Sequence, residues 1–554
     1  MTCRLSLCIL VLTIMSAPDM SLAKTPPAMD EMDMTGAMTG APVDYGFGPG
    51  QGGGPWAPPA SGPRATGGGP IAAATAGYAL GSVSQGPSNA GVAGYFDPPV
   101  PWPINGLHEI LLPDGRVLNY GSNRGGLQGA FIYDLWTPSL GTGSNAHLVL
   151  PNTTNTDIFC SEQSMMWSTG QVLITGGDLT IQNTRNYSNN ATTIFSPKTN
   201  TIASAGHMTY PRWYPSIVAM PNGDMVTLGG RRAPGVPADT PEVYNPATGW
   251  RVLTGAYSAT AFSNSSSGWY YPRAFLKSNG AIFILDAPGQ MWSVTTGGVG
   301  KIAQYPGSTA SGNPLLPTVM YAPDKLLYLN NNAQATTVDY SGATAQSMSA
   351  GPVDQMRFYA NATVMADGTV LVNGGSAVAN RLPGDLKTLI WNPVTRAWTT
   401  GASAVKPRLY HSIALLLPDA TVLTGAGGSP GPVTNLNAEI YYPPYLYLKD
   451  GSGRPAPRPT LVSAPSAAVV GQTVTATVGP SDIIRRVTFV RTGSVTHTYN
   501  NDERFIDAAF AQTGHVVTAT LPANSSVMVP GYYMMFVHQN GVPSVSRIIL
   551  VTAH

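Results

Sequence analysis

Val364-Met-Ala-Asp-Gly-Thr-Val-Leu-Val-Asn-Gly-Gly375 has the pattern of a complete β-hairpin. Two apolar runs are joined by Asp367-Gly368, and the second run is β-branched and ends in two glycines. Asp-Gly between such runs is a strong hairpin signal, because glycine accepts the positive φ angle of a two-residue turn. The unit occurs seven times, with second turn residues Gly115, Gly170, Gly223, Gly280, Lys325, Gly368 and Ala420.

These turn residues follow one another at intervals of 43 to 57 residues. A period near 50 with strand and Gly-Gly units is typical of kelch propellers. Divided among seven units, residues 96–450 give about 51 residues per blade, which agrees with the observed spacing of the turns. The sequence therefore predicts an all-β fold with a seven-bladed kelch-type β-propeller over residues 96–450.

The rest of the chain divides into three segments. Residues 451–554 hold short strand patterns separated by Pro and Gly, which predicts a small immunoglobulin-like β-sandwich. Residues 24–95 are rich in Gly, Pro and Ala and predict a tether. Their methionines fit an acidic solvated tail, or Cu(I) capture because thioethers are soft ligands; they are Met29, Met32, Met34 and Met38.

Residues 1–23 have the features of a signal peptide: Arg4, an apolar run over 5–15 and the small-x-small site Ser21-Leu22-Ala23. We expect an exported protein, secreted or held in the periplasm or at the cell surface. Cleavage would remove two of the three cysteines and leave Cys160 alone. An odd thiol in an exported protein is buried, paired between chains, or chemically used.

Composition narrows the classes of partner. Only 10% of residues are charged, with 29 Lys plus Arg against 28 Asp plus Glu, so no basic surface for nucleic acid is expected. Past Met15 no apolar run approaches the roughly 20 residues of a membrane-spanning helix. We also expect a monomer.

The hairpin register also predicts a site. Residues nine or ten positions before each turn residue lie at the starts of the first strands, which should converge around the propeller axis. These positions hold Phe159-Cys160, Trp213-Tyr214, Phe358-Tyr359 and Tyr410-His411. Each residue taken singly is more often structural, but imidazole and phenolate together suit Cu(II), Fe(III) or Zn. Spacing thus indicates a metal site and leaves the ion open.

Four motifs carry a family resemblance: Asp157-Ile-Phe-Cys160, Arg212-Trp-Tyr214-Pro, Arg408-Leu-Tyr410-His411-Ser and Val495-Thr-His497. In this order they resemble the copper radical oxidases, the galactose oxidase and glyoxal oxidase family, and the Arg-Trp-Tyr-Pro context is closer to the glyoxal oxidase branch. The resemblance extends over roughly residues 100–554.

The resemblance implies one copper ion, with Tyr214, His411 and His497 as equatorial ligands and Tyr410 as the axial ligand. It also implies a thioether between Cys160 and Tyr214, whose ring would carry a radical. Tyr410 would act as the base. The implied reaction is oxidation of small aldehydes or primary alcohols, with O2 reduced to H2O2. His497 lies in the C-terminal domain, which would have to insert a loop into the propeller axis.

The sequence departs from galactose oxidase beside the third Gly-Gly pair. Residues 229–235 lack the Trp that stacks on the radical there, so Trp213, Trp269 or Trp292 could take its place. Two other readings stay open: a secreted kelch propeller that binds glycans or matrix without catalysis, and an oxidase-like protein whose copper is structural. The presence of all five site residues favours the enzyme.

Overall fold

The structure is a computed structural model that describes residues 82–553. The predicted signal peptide and the methionine segment lie outside the described residues. No helix in the described range is long and apolar enough to cross a membrane. The described chain is almost entirely β-structure, and its short α-helical and 3-10 turns are Ala90–Ala93, Pro138–Leu140, Ser144–Ala146, Thr254–Ala256 and Pro444–Leu446.

The repeats fold into antiparallel sheets whose first strands contact one another around an axis. Five repeats form separate sheets. The second contains Glu162–Met166, Gln171–Thr175, Ala191–Ser196 and Thr201–His207. The third contains Trp213–Ala219, Met225–Ala233, Val236–Pro237, Glu242–Asn245 and Gly249–Val252, and the fourth Arg273–Leu276, Ile282–Leu285, Met291–Thr295 and Lys301–Gln304. The sixth contains Phe358–Val364, Val370–Ser376, Lys387–Trp391 and Trp398–Ser403, and the seventh Ser412–Leu416, Val422–Ala426 and Asn437–Tyr442.

The prediction of seven separate blades is wrong in one respect, because the first and fifth repeats belong to one ten-stranded sheet. A hairpin from the C-terminal domain lies between them and bonds to both. The first repeat contributes His108–Leu111, Val117–Ser122, Gln128–Trp136 and His147–Pro151, the fifth Thr318–Ala322, Lys325–Leu329, Gln334–Asp339 and Gln346–Pro352, and the hairpin Ser494–Thr496 and Tyr499–Asn500.

Residues that precede the first repeat complete the seventh sheet. Tyr95–Phe96 and Val100–Pro101 both pair antiparallel with Asn437–Tyr442. Of the predicted tether, the structure describes residues 82–95, and the turn Ala90–Ala93 is packed with Ala90 and Ala93 buried. A separate ribbon, Asp178–Ile181 with Thr184–Ser188, stands beside the second and third repeats.

The C-terminal domain is a β-sandwich, as predicted, with its own apolar core around Phe489, Val517 and Ile549. The short strand patterns that the sequence shows between 474 and 552 coincide with its strands. Its strands are Leu461–Ser463, Ala467–Val469, Thr473–Val478, Arg486–Arg491, Phe505–Thr513, Val516–Thr520, Gly531–Gln539, Val542–Pro543 and Arg547–Thr552.

The hairpin that reaches the propeller axis leaves the sandwich directly after Arg486–Arg491 and returns before Phe505–Thr513. Its first strand pairs with the first repeat, with His108 opposite Thr496. Its second strand pairs with the fifth repeat, with Thr318 opposite Tyr499. The hairpin therefore satisfies backbone groups on two inner strands that would otherwise be unpaired in the interior.

Three ionisable residues after the hairpin fasten it to three different repeats. The Asp502 carboxylate accepts hydrogen bonds from the Ser164 hydroxyl (2.7 Å) and the Met165 N–H (3.2 Å) in the second repeat. Glu503 accepts the Val364 N–H in the sixth repeat, and Arg504 donates to a carbonyl in the fourth. All three are buried, so the insertion is fixed by interactions that solvent does not screen.

We expect Asp502→Ala to lower the free energy of unfolding by about 3–5 kcal/mol, because a buried ion pair loses one partner. Arg491 Nη1 lies 3.2 Å from the Asp502 carboxylate and would keep its charge in the interior. Urea unfolding followed by tryptophan fluorescence measures the change. The matched control is Asp507→Ala, whose side chain is 53% exposed and pairs with Arg486 at 2.8 Å. That exposed pair should contribute about 1 kcal/mol or less, and equal losses in both variants would contradict the role of Asp502.

Candidate metal centre

The structure brings the five predicted site residues to one buried place. Cys160 precedes the first strand of the second repeat, Tyr214 begins that of the third, and Tyr410-His411 precede that of the seventh. His497 occupies the turn of the inserted hairpin, between Thr496 and Tyr499. None of the five is more than 4% exposed. The convergence predicted from the hairpin register is thus present in the fold.

The donor atoms of these residues lie close together. The hydroxyls of Tyr214 and Tyr410 are 2.5 Å apart, and the Nε2 atoms of His411 and His497 are 2.7 Å apart. Cys160 Sγ is 3.8 Å from His497 Nε2, and the thiol is also within hydrogen-bonding reach of Tyr214. The thiol and both imidazoles form a group whose ligand atoms all lie within 4.8 Å of one another.

Hydrogen bonds at Nδ1 fix the tautomers of both His411 and His497. His411 Nδ1 is 2.7 Å from the Gly428 carbonyl, which can only accept, so Nδ1 carries the proton. The Thr496 hydroxyl donates to the Leu107 carbonyl, and it therefore accepts from His497 Nδ1 at 2.6 Å. Both Nε2 atoms consequently present lone pairs. Such fixed tautomers are usual in histidines that bind metal.

Two facing lone pairs at 2.7 Å repel each other unless a cation lies beside both. Burial lowers the pKa of His411 to about 3, and burial with the nearby His411 and His108 lowers that of His497 well below its usual value. Both rings are therefore neutral, so no proton relieves the repulsion. Nitrogens bound to one metal at about 2 Å and at right angles are about 2.8 Å apart. The two imidazoles, with phenol oxygens beside them, therefore fit a single metal ion.

The phenols and the thiol complete the donor set. Burial raises the pKa of Tyr214, of Tyr410 and of Cys160 well above their usual values. Without a metal these groups are neutral, and a buried dication reverses that preference by favouring the phenolates. Imidazole, phenolate and sulfur donors together suit copper, as the resemblance implies.

Several of these residues have strained backbones. The φ angles are +56° at Cys160, +64° at Tyr214, +139° at His411 and +44° at His497. A non-glycine residue in this region costs about 1–3 kcal/mol and persists only where its surroundings hold it. Part of this support is a backbone hydrogen bond between the second and third repeats. The Tyr214 N–H donates to the Cys160 carbonyl at 3.0 Å.

A buried arginine two residues before the tyrosine holds the third repeat in place. Arg212 Nη1 donates to the Gly229 carbonyl (2.7 Å), and Nη2 forms an ion pair with Glu242 (2.9 Å). These bonds tie the start of the first strand to the second and third strands of the same sheet. They fix the position from which Tyr214 projects.

The same device precedes the tyrosines of the sixth and seventh repeats. Arg408 forms an ion pair with Glu439 at 2.9 Å and lies two residues before Tyr410. Arg357 forms an ion pair with Asp385 at 2.9 Å and lies two residues before Tyr359. Sequence reasoning missed this Arg-x-Tyr pattern, although its recurrence in three repeats was a readable signal.

In the sequence, Tyr271-Pro-Arg273 of the fourth repeat only loosely resembles a substrate-contacting Tyr-Arg pair of galactose oxidase, because Pro272 is inserted, and both residues lie beside His497 in the fold. The Tyr271 ring stacks on His497 with centroids 4.5 Å apart, and its hydroxyl donates to the Ser161 carbonyl at 2.9 Å. Arg273 donates to the Thr498 hydroxyl at 2.7 Å, which holds the turn that carries His497. Tyr271 stands nine residues before Gly280, the same register that identified Tyr214, so the missing step was to apply the rule to this repeat.

Of the three candidate tryptophans, Trp213 contacts the site most closely. Its ring stacks on Tyr214 with centroids 3.9 Å apart, whereas Trp269 is 6.2 Å away. Trp292 lies on the third strand of the fourth repeat, where its Nε1 donates to Asp286. Trp213 thus occupies the stacking position left open by the sequence between 229 and 235.

Comparison with known proteins finds relatives over most of the chain. Residues 458–551 match a family model described as Galactose oxidase-like, Early set domain. The chain is 28% identical to a galactose oxidase of Gibberella zeae over 500 residues, covering 83% of this chain and 71% of the relative. It is 24% identical to aldehyde oxidase GLOX1 of Arabidopsis thaliana, covering 80% of this chain and 79% of the relative.

A solved structure of a fungal alcohol oxidase of the AA5 family, in complex with copper, shares the fold. Its TM-score is 0.73 at 24% identity, covering 83% of this chain and all of that one. The branch within the family stays a prediction, since the galactose oxidase and the aldehyde oxidase are similarly distant. The relatives, the C-terminal domain and the gathered tyrosines and histidines together support the copper radical oxidase family for this chain.

Proposed function

We propose that the protein is an exported copper radical oxidase that oxidises small aldehydes or primary alcohols and reduces O2 to H2O2. The observation that carries this proposal is the convergence of Tyr214, Tyr410, His411 and His497 on one buried point, with Cys160 beside it. A propeller that only binds glycans has no need of such a buried donor set. Export is supported by the pattern of residues 1–23.

Tyr214, Tyr410, His411 and His497 would hold the copper ion, which supplies one-electron redox chemistry when bound. Removal of two electrons from an alcohol needs a second one-electron group, and Tyr214 would be that group. A thioether from Cys160 to its ring would make oxidation of the phenol easier. Forming that thioether joins sulfur to a ring carbon and releases two hydrogens, which reduce O2 to H2O2.

Tyr410 would act as the base. Its hydroxyl is 2.5 Å from that of Tyr214, so the proposed base lies beside the proposed radical residue. A positioned base of this kind contributes about 10²–10⁴-fold to a rate. The donor residues expose so little surface that only small substrates are expected to reach the site. Aldehyde hydrates and primary alcohols are substrates of this size. Burial also keeps bulk water away from the radical.

The thioether predicts a mass change. Protein matured with copper in air should weigh less than the reduced sequence by two hydrogen atoms, and Cys160→Ala should show no such loss. The Cys160→Ala variant should still bind copper but lose most of its radical signal. Intact-mass measurement and thiol titration test this. A full-mass protein with a titratable Cys160 thiol would contradict the cross-link.

The inserted hairpin predicts a test of the metal ligands. His497→Ala should weaken copper binding at least about 100-fold, since even outer-shell changes typically cost 10–100-fold. Equilibrium dialysis against a copper chelator measures the affinity. The matched control is His538→Ala, because His538 is also buried but bonds to Thr488 within the sandwich. If both variants bound copper equally, His497 would not be a ligand.

The activity itself is tested by a peroxide-coupled screen of aldehydes and primary alcohols on copper-loaded protein. At least one substrate class should yield H2O2. Tyr410→Phe should lower kcat by about 10²–10⁴-fold while the cross-link mass is retained, because it removes the base and not the radical precursor. Absence of peroxide from every substrate, with copper bound and the thioether formed, would argue for a structural copper instead.

A further inference from the structure

The positively charged guanidinium of Arg231 lies against Trp213, the tryptophan that stacks on Tyr214. Its guanidinium carbon is 4.1 Å from the centroid of the Trp213 ring, and Trp213 is opposite Arg231 in the third sheet. The same carbon is 5.6 Å from the Trp269 ring. An arginine between two indoles is thus part of the surroundings of the proposed radical.

The ribbon between the second and third repeats holds this arginine. Arg231 Nη2 donates to the Asn186 carbonyl at 3.1 Å, and the Arg231 carbonyl accepts the Ser188 hydroxyl at 2.6 Å. Both partners lie on the strand Thr184–Ser188. The guanidinium stays charged at any physiological pH, because arginine is not deprotonated in proteins. Its position and its charge are therefore both fixed.

Stacking creates a problem for a tyrosyl radical. Trp213 is itself oxidisable, and its ring is in van der Waals contact with that of Tyr214. A radical formed on one of the two rings can move to the other by electron transfer. At equilibrium it lies on the ring that is easier to oxidise. A radical that moved to Trp213 would no longer lie on the residue that the proposed reaction uses.

Two features make oxidation of Trp213 unfavourable. An indole radical cation beside the Arg231 guanidinium would place two positive charges about 4 Å apart, one of them on a buried ring. The indole radical cation normally relieves its charge by losing the Nε1 proton. Trp213 Nε1 is buried without a hydrogen-bond acceptor among residues 82–553, so that route is also closed.

We propose that Arg231 is a positioning residue that keeps the radical on Tyr214 by raising the cost of oxidising Trp213. The inference rests on the proposed function, because it presupposes a radical. In the test, hexachloroiridate(IV) removes one electron from the Tyr214 ring of the copper-loaded protein and is reduced to hexachloroiridate(III). As a phenolate ligand Tyr214 has no proton to lose, so charge and electrons balance.

The experiment compares wild type with Arg231→Met after this oxidation, using protein made with normal or ring-deuterated tryptophan. The radical bands in the resonance Raman spectrum of wild type should not shift on deuteration. In Arg231→Met, deuteration should shift part of these bands, and the radical half-life should fall by about tenfold. A tenfold change in the Tyr214-to-Trp213 population ratio corresponds to about 59 mV for one electron.

Three further variants separate the effect of the Arg231 charge from other effects of the substitution. Arg231→Lys keeps a cation and should restore the wild-type spectrum. Trp213→Phe combined with Arg231→Met should also restore the half-life, because phenylalanine is much harder to oxidise. The matched control is Arg232→Met, whose guanidinium is 5.1 Å from Tyr210 and pairs with Asp239. This control should behave as wild type.

The outcomes separate this inference from the proposed function. If copper-loaded wild type gives no radical, the proposed function itself fails. If wild type gives a tyrosyl radical and Arg231→Met matches it in spectrum and half-life, only the role of Arg231 is overturned. If Arg231→Met does not fold, Arg231→Gln supplies the neutral variant, and an unchanged spectrum there overturns the proposal equally.

Discussion

The hairpin from the C-terminal sandwich to the propeller axis is the constraint on which the rest of the structure depends. It fills the gap between the inner strands of the first and fifth repeats and joins them into one sheet. It is fastened by buried ionisable side chains that contact the second, fourth and sixth repeats. Because it also carries His497, the propeller and the metal site are completed by the same insertion, and neither domain contains the whole donor set.

The propeller holds several tyrosines in strained backbone conformations, and buried arginines support these conformations. Tyrosines project from first-strand starts with left-handed backbones, a conformation that would relax if the strand could shift. The repeated buried arginine prevents that shift, since it binds the second strand through a carbonyl and the third through a carboxylate. Removing the carboxylate alone would leave a buried guanidinium uncompensated, so the pairs act as rigid anchors rather than as a source of net stability.

The sequence predicted those parts of the site that follow from local geometry. Hairpin turns determine which face a strand start occupies, so the register of seven turns placed Cys160, Tyr214, Tyr410 and His411 together. The partner of the inserted hairpin follows from no local rule, because Leu107 and Thr496, which it brings into contact, are 389 residues apart. The position of His497 therefore came from the family resemblance alone. The closing strand at Tyr95–Phe96 was missed because its surroundings lack aliphatic periodicity.

Burial explains how so crowded a site can fold before any ion arrives. Neutral imidazoles, phenols and a neutral thiol carry no charge into the interior, and burial favours each of these neutral forms. The remaining cost is the repulsion of the two Nε2 lone pairs and the backbone strain, both borne by the anchoring bonds. A bound metal ion would remove the repulsion and would favour loss of the phenol protons. A site built of neutral donors is thus compatible with folding and metal loading as separate steps, which a site of several buried carboxylates would not be.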